Sequence, residues 1–382
     1  MDYFFHGGPG LPYLFAFLMG LSMLIYGLLD GYDLGVGILS YLEKNKQNKD
    51  TMIASIGPFW DANETWLVLG IGILLIAFPL AHGIILSNLY LPVFLMLIGL
   101  IFRGVAFDFR AKAKDQYKKH WDTAFSAGSL LTALAQGYML GFYIVGFKLT
   151  VETFIFSCLV GVSLAVGYCL IGANWLIMKT SDQLQKKSIR WAKFSLAGAV
   201  FCIGLVSLGT PLASERIFSK WFTYPNILFL LPIPVLTGTL ILWMRHILIK
   251  LPLKNDQYCW LPFAQTAIIA ALCFIGLGYS FFPFIIPDQM LIVQASSANE
   301  SLIIILVGVA IVLPILLLYT FFSYKIFHGK AEEDLRYDPK RSLRFAISEI
   351  NTTIPAVSRY LNIIQFINYF SIPHLIFCQI LS

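Results

Sequence analysis

The 382-residue chain is 58% hydrophobic and 13% charged, with a mean hydropathy of +0.75. That is too apolar for a soluble core and suited to lipid. The net charge of +6 comes from Lys and Arg in short loops between apolar runs, so it reads as membrane orientation and excludes nucleic acid as a partner.

A membrane span needs roughly 20 apolar residues to cross a hydrocarbon core about 30 Å thick. Nine such runs follow in order, at 11–39, 52–79, 83–107, 121–146, 152–178, 191–211, 225–250, 260–286 and 301–327. The fourth is the least apolar, and its small residues suit helix–helix contact. No Lys or Arg precedes the first run, and the run is long, so a cleavable secretory signal is not expected. Of the 27 Lys and Arg, 24 lie around the loops after spans 1, 3, 5 and 7 and in the tail after span 9. This bias predicts the N-terminus outside and the C-terminus in the cytoplasm.

The first half echoes in the second. A shift of 141 residues pairs Gly20 with Gly161, Ser22 with Ser163, Gly31 with Gly172 and Gly137 with Gly278. A shift of 142 pairs Pro92 with Pro234 and Arg103 with Arg245. Four spans per unit is an even number, which makes a parallel repeat. The expected fold is an all-α polytopic membrane protein of nine transmembrane helices, in two parallel four-helix units plus one helix. The units fall at 1–150 and 151–290, the ninth helix at 291–329, and a cytoplasmic or surface-lying tail at 330–382.

Within this apolar chain the acids stand out. Asp30 and Asp33 lie in LLDGYDLGVG on span 1, and Asp61 and Glu64 in GPFWDANETWLVLG on span 2. Counting from the loop near 41–50, Asp30 and Asp61 are each 11 residues away, about 16 Å along their helices, which predicts a shared depth. Asp33 and Glu64 lie three residues from their partners, on the same helix faces. A carboxylate at that depth is costly unless paired, protonated or hydrated, so these groups should face the bundle or a partner protein. Two uses remain open: proton transfer, or hydrogen bonding with Asn63, Tyr26, Tyr32, Trp60 or Trp66. Arg103, in LIFRGVAFDFR, could neutralise one acid or could snorkel to the interface. At the 141-residue shift the four acids meet Ile171, Asn174, Cys202 and Leu205, so any chemistry is asymmetric.

Other chemistry finds no motif. The six cysteines include no CxxC and read as buried small hydrophobes. The six histidines lie near span ends, outside spans or in the tail, which argues against a haem or metal held by this chain. Neither a phosphate-binding loop nor a dinucleotide fingerprint occurs.

These motifs together resemble subunit II of the cytochrome bd-type quinol oxidases. The resemblance rests on LLDGYDLGVGIL (28–39), SIGPFWDANETWLVLG (55–70), FRGVAFDFR (102–110), GYSFFPFIIP (278–287) and IVLPILLLYTFFSYKIF (311–327), and covers about 1–330. The NETW ending resembles the cyanide-insensitive branch. The resemblance implies a multi-pass protein of the bacterial plasma membrane, belonging to a complex that oxidises quinol and reduces oxygen to water. It implies a heterodimer with subunit I, which holds haem b and haem d, while subunit II is haem-free and stabilises its partner. A small accessory subunit and a structural quinone occur in some members. It further implies that Asp61 is the best candidate for a route bringing cytoplasmic protons to the oxygen site, with Asp30, Asp33, Glu64 and Arg103 as further members or electrostatic support. Some members carry His before the Trp of the second motif, where this chain has Phe59. A relay through that imidazole is absent here, and water or Glu64 would bridge instead. The tail beyond span 9 is longer than the family norm.

Two other readings compete on composition alone. One is an ion-coupled transporter with a proton site at Asp30 and Asp61, a class in which repeats and membrane acids are common. The other is a purely structural subunit whose acids never titrate.

Overall fold

The computed structural model describes residues 10–253 and 256–331. The chain runs α1 (Gly10–Ser40), α2 (Lys46–Ile56), α3 (Trp60–Ala77), α4 (Pro79–Lys112), α5 (Asp115–Ile144), α6 (Val151–Lys179), α7 (Asp182–Ala213), α8 (Glu215–Phe222), α9 (Asn226–Leu230), α10 (Pro232–Lys250) and α11 (Leu261–Phe281). A short antiparallel hairpin, β1 (Phe284–Ile286) and β2 (Met290–Leu291), leads to α12 (Ile292–Ala295) and α13 (Asn299–Ile326). Among the described residues eight helical stretches are long and apolar enough to cross a membrane: α1, α3, α4, α6, α7, α9 with α10, α11 and α13. The protein is therefore an all-α polytopic membrane protein. The fourth run also forms a helix, the 30-residue α5, but it is more polar than the eight.

One boundary departs from the sequence reading. The run at 52–79 is not one helix. Residues 46–56 form α2, and α3 begins only at Trp60. Pro58 lacks the N–H that a continuous helix would need, and Gly57 and Pro58 carry the chain round the corner. Asn45 starts α2 cleanly, its side chain accepting from the N–H groups of Gln47 and Asn48.

Helices α1 and α6 cross at the centre of the molecule. Their backbones touch where Gly35 faces Tyr168 and Gly172. A Cβ on Gly35 would lie 1.7 Å from the Tyr168 carbonyl oxygen, and one on Gly172 would lie 2.6 Å from the Gly35 carbonyl carbon. Small residues replace side-chain interdigitation here, as expected where lipid gives helices no hydrophobic drive to associate. Around this crossing α1 packs on α3 and α5, and α4 packs on α5; likewise α6 packs on α7 and α11, and α10 packs on α11.

The buried core lies in two main clusters. One, toward the Lys- and Arg-rich end, gathers Tyr32, Phe59, Phe107, Trp175 and Met244. The other, at the opposite end, gathers Phe15, Phe78, Phe142 and Ile285. The last turn of α13 enters the first cluster through Tyr324 and Phe327. Lys179 donates to the carbonyls of Phe327 and, at 3.1 Å, Gly329, so the end of α13 is stapled to the end of α6. The tail expected at 330–382 lies outside the described residues beyond Ala331.

Candidate functional site: the Arg103 carboxylate cluster

Asp30 and Asp33 sit one turn apart on α1, Asn63 and Glu64 at the start of α3, and Arg103 two turns before the end of α4. Asp30, Asp33 and Arg103 are each fully buried. Arg103 Nη1 donates to Asp30 Oδ1 at 2.6 Å and stands 3.6 Å from Glu64 Oε1, while Nη2 lies 3.9 Å from Asp33 Oδ2. Of the two roles open to Arg103, ion pairing is the one seen. Its planar fork suits it to several carboxylates at once. The ring of Trp60 lies 5.7 Å beneath the guanidinium.

The acids differ in their other partners. Asn63 Nδ2 lies 2.7 Å from Asp33 Oδ2, 3.0 Å from the Tyr32 hydroxyl and 3.2 Å from the Leu29 carbonyl oxygen. Tyr324 of α13 donates to Asn63 Oδ1 at 3.3 Å and shares a 2.6 Å hydrogen bond with Tyr32. On the other side of α1, Gln136 of α5 donates to Tyr26 at 2.6 Å and accepts from Tyr168 at 2.8 Å. Neither Asp33 Oδ1 nor Arg103 Nε has a hydrogen-bond partner among the described residues, which suits both to water.

Asp61 stands apart. It is exposed on the outer face of α3, with no ion pair or side-chain hydrogen bond among the described residues. The shared depth expected for Asp30 and Asp61 is shifted by one turn. Glu64 meets the Asp30–Arg103 pair, and Asn63 meets Asp33. The cause is the corner at Gly57 and Pro58, which makes residue counts from the loop unequal on the two arms. Phe59, beside Trp60 in sequence, points elsewhere: it is buried, stacked on Tyr324 at 4.6 Å and edge-on to Trp175.

The second half carries a neutral counterpart. Asn174, which the 141-residue shift matches to Asp33, donates to Thr266 at 2.8 Å and lies 3.8 Å from the sulfur of Met244. Met244 is the residue that the same shift matches to Arg103. Arg245, matched at 142, is exposed.

Sequence reasoning named Asp30, Asp33, Glu64 and Arg103, and the structure brings these four together. It missed Tyr324, Gln136 and Tyr168. The available signal was polar side chains inside apolar runs, as in ALAQGY and FFSYKIF, but nothing local tells which helix each one meets.

A family model for cytochrome bd terminal oxidase subunit II matches residues 11–327. The chain belongs to that family. As a cytochrome bd subunit II it is a component of a terminal oxidase, an oxidoreductase complex of the membrane. The cytochrome bd-I ubiquinol oxidase subunit 2 of Escherichia coli K12 is 28% identical, over 85% of this chain and 96% of the relative. The cytochrome bd ubiquinol oxidase subunit 2 of Bacillus subtilis is 26% identical, over 83% and 96%. A chain of the bd oxidase structure from Geobacillus thermodenitrificans superposes with a TM-score of 0.66 at 15% identity, covering 83% of this chain and 98% of that one, a likeness of fold. For a subunit II of this family the cluster around Arg103 is the largest concentration of buried charge among the described residues.

Proposed function

We propose that this subunit II serves a quinol:oxygen oxidoreductase by stabilising a haem-bearing subunit I and by carrying protons toward the oxygen-reducing site. The observation that supports the proton reading is an exposed Asp61 one turn before Glu64, which itself contacts the Arg103 cluster. An unpaired carboxylate on the outer face of a membrane helix is tolerated when another protein or water covers it. Asp61 is therefore the group at the surface facing subunit I, Glu64 lies one turn deeper on the same helix, and Glu64 reaches the Arg103–Asp30 pair at 3.6 Å. Three carboxylates around one guanidinium can hold and pass protons without losing the ion pair. With Phe59 locked in its aromatic stack, Glu64 and water take the place of the histidine found in some members.

The haem-free reading draws support from the four described histidines, His82, His120, His246 and His328, none of which is buried. The haems b and d belong to the partner in this reading, as does quinol oxidation. The relatives named for ubiquinol favour a quinol as reductant. The repeat of packing partners supports two parallel four-helix units, α1–α3–α4–α5 and α6–α7–α10–α11, with α13 added; α5 then counts as the ninth span. Lys and Arg concentrated at one end of the bundle favour a cytoplasmic C-terminus in the bacterial inner membrane.

The test is Asp61→Asn in the assembled oxidase. Oxygen reduction slows by tenfold or more while the reduced-minus-oxidised haem spectrum and the subunit ratio stay as in the wild type. Full turnover in an intact complex removes Asp61 from the route.

A further inference from the structure

A groove of about 530 Å³ opens between α5 and α7 over the crossing of α1 and α6. Its walls are almost wholly apolar, from Ile38 and Leu39 at its floor to Leu130, Val166 and Phe194 at its sides. It lies at the end of the bundle that carries the basic loops. Its extent on α5, Thr123 to Leu130, is about 10 Å, a third of a membrane core.

The 141-residue shift carries this groove onto an occupied one. Ile38 and Leu39 map onto Lys179 and Thr180, and Phe194 and Gly198 map back onto Ile53 and Gly57. In that counterpart the last turn of α13 is seated. Phe327 and Tyr324 pack on the apolar floor, Lys179 holds the carbonyls of Phe327 and Gly329, and Lys330 holds that of Thr180 at 2.8 Å. The counterpart thus takes an apolar body with an anchored polar end at the membrane surface.

The open copy has cations at its mouth. Lys119 and Arg190 each lie four residues before a lining residue, Thr123 and Phe194, on the same helix face and one turn nearer the basic end. Lys44 follows the lining residue Leu42 by two. All three are exposed and have no ion pair among the described residues, although neighbouring Lys46, Lys118 and Lys187 are each paired with an acid.

We infer that this groove is a binding site for one anionic phospholipid, its acyl chain lying against Leu39, Val166 and Phe194 and its phosphate held by Lys119, Arg190 and Lys44. The groove is too short to seat a membrane-spanning helix, and its rim charge matches a phosphate headgroup rather than a neutral one.

The purified oxidase complex, exchanged into uncharged detergent, is titrated with phosphatidylglycerol or phosphatidylcholine of the same acyl chains and read by native mass spectrometry. One phosphatidylglycerol is retained at least tenfold more strongly than phosphatidylcholine. The double variant K119Q/R190Q loses that preference, by about fivefold for each cation removed. Ala127→Trp, which fills the groove, abolishes retention of this lipid. Both variants keep wild-type oxygen reduction and haem spectra, which shows that they are folded. Equal retention of the two lipids overturns the proposal, as does unchanged retention in Ala127→Trp. So does lipid binding that appears only after residues 332–382 are deleted, since the tail would then be the occupant. A co-purifying small polypeptide whose removal is required for lipid binding overturns it equally.

Discussion

Met244 Sδ lies 3.8 Å from Asn174 Nδ2, at the two positions that a 141-residue shift matches to Arg103 and Asp33. The charged contact of the first half, 3.9 Å long, is thus a neutral one in the second. Asp30 has Ile171 as its counterpart. The second half therefore closes with an uncharged set at these positions. A buried pair gains little over well-packed apolar residues, but breaking one side of it costs about 3–5 kcal/mol. Arg103→Met alone should then destabilise assembly, seen as lost haem spectrum and subunit II yield. The triple variant D30I/D33N/R103M should recover assembly while oxygen reduction stays low. If the triple variant turns over like the wild type, the cluster is structural.

Gly35 and Gly172 set the approach of α1 and α6, and a single methyl tests it. Gly35→Ala drives a Cβ into the Tyr168 carbonyl, where backbone rather than side chain must move. The cost should reach or exceed the upper end of the roughly 1–3 kcal/mol typical of overpacking. The expected readout is a complex that fails to accumulate or melts well below the wild type. Gly72→Ala, with nothing within 4 Å of its Cβ, is the matched control and should be silent.

Tyr324→Phe removes one hydroxyl that bridges α13 to both Tyr32 and Asn63. Asn63 keeps Asp33, so the acid cluster survives. The loss should be about 0.5–1.5 kcal/mol, the net worth of an ordinary hydrogen bond. Thermal unfolding of the purified oxidase should register it as a small downward shift with turnover nearly unchanged. A large fall in turnover would instead put Tyr324 on the proton route.

Hydropathy made the long helices legible, because each run had to be both apolar and long. It could not show the corner at Gly57 and Pro58, since the end of α2, Met52–Ile56, runs on to Phe59 and Trp60 with no charged residue between. That corner shifted the depth of Asp61 by a turn against Asp30. Asp30, Asp33, Glu64 and Arg103 could be foreseen as a group because charge inside a span demands a partner, and few were available. Gln136 and Tyr324 could not be foreseen. Their partners, Tyr26 and Tyr32, are 110 and 292 residues away in sequence, and only packing chooses among the apolar helices that carry them.

Glu43 makes the pH dependence of the basic end testable. It is buried in the loop between α1 and α2, where it accepts from the N–H groups of Lys44 and Asn45 at 2.8 Å and from Asn48 at 3.1 Å. Both its oxygens take Lys187 of α7 at 2.9 Å, tying the first half of the chain to the second. Burial pushes this carboxyl up, but the Asn45 N–H, Lys187 and Asn48 outweigh it and hold the group below its ordinary value of 4.5. A depressed carboxyl contributes stability that is fully present above the unfolded value and is lost as pH falls through the folded one. The melting temperature of the wild-type oxidase should therefore contain a component that disappears below about pH 4.5. Glu43→Gln should lower the melting temperature at pH 7 and flatten that acid limb. Haem spectra taken at pH 7 should stay unchanged, because Glu43 is remote in function from the Arg103 cluster. An acid limb identical in the two proteins would show that the Glu43–Lys187 tie contributes no pH-dependent stability.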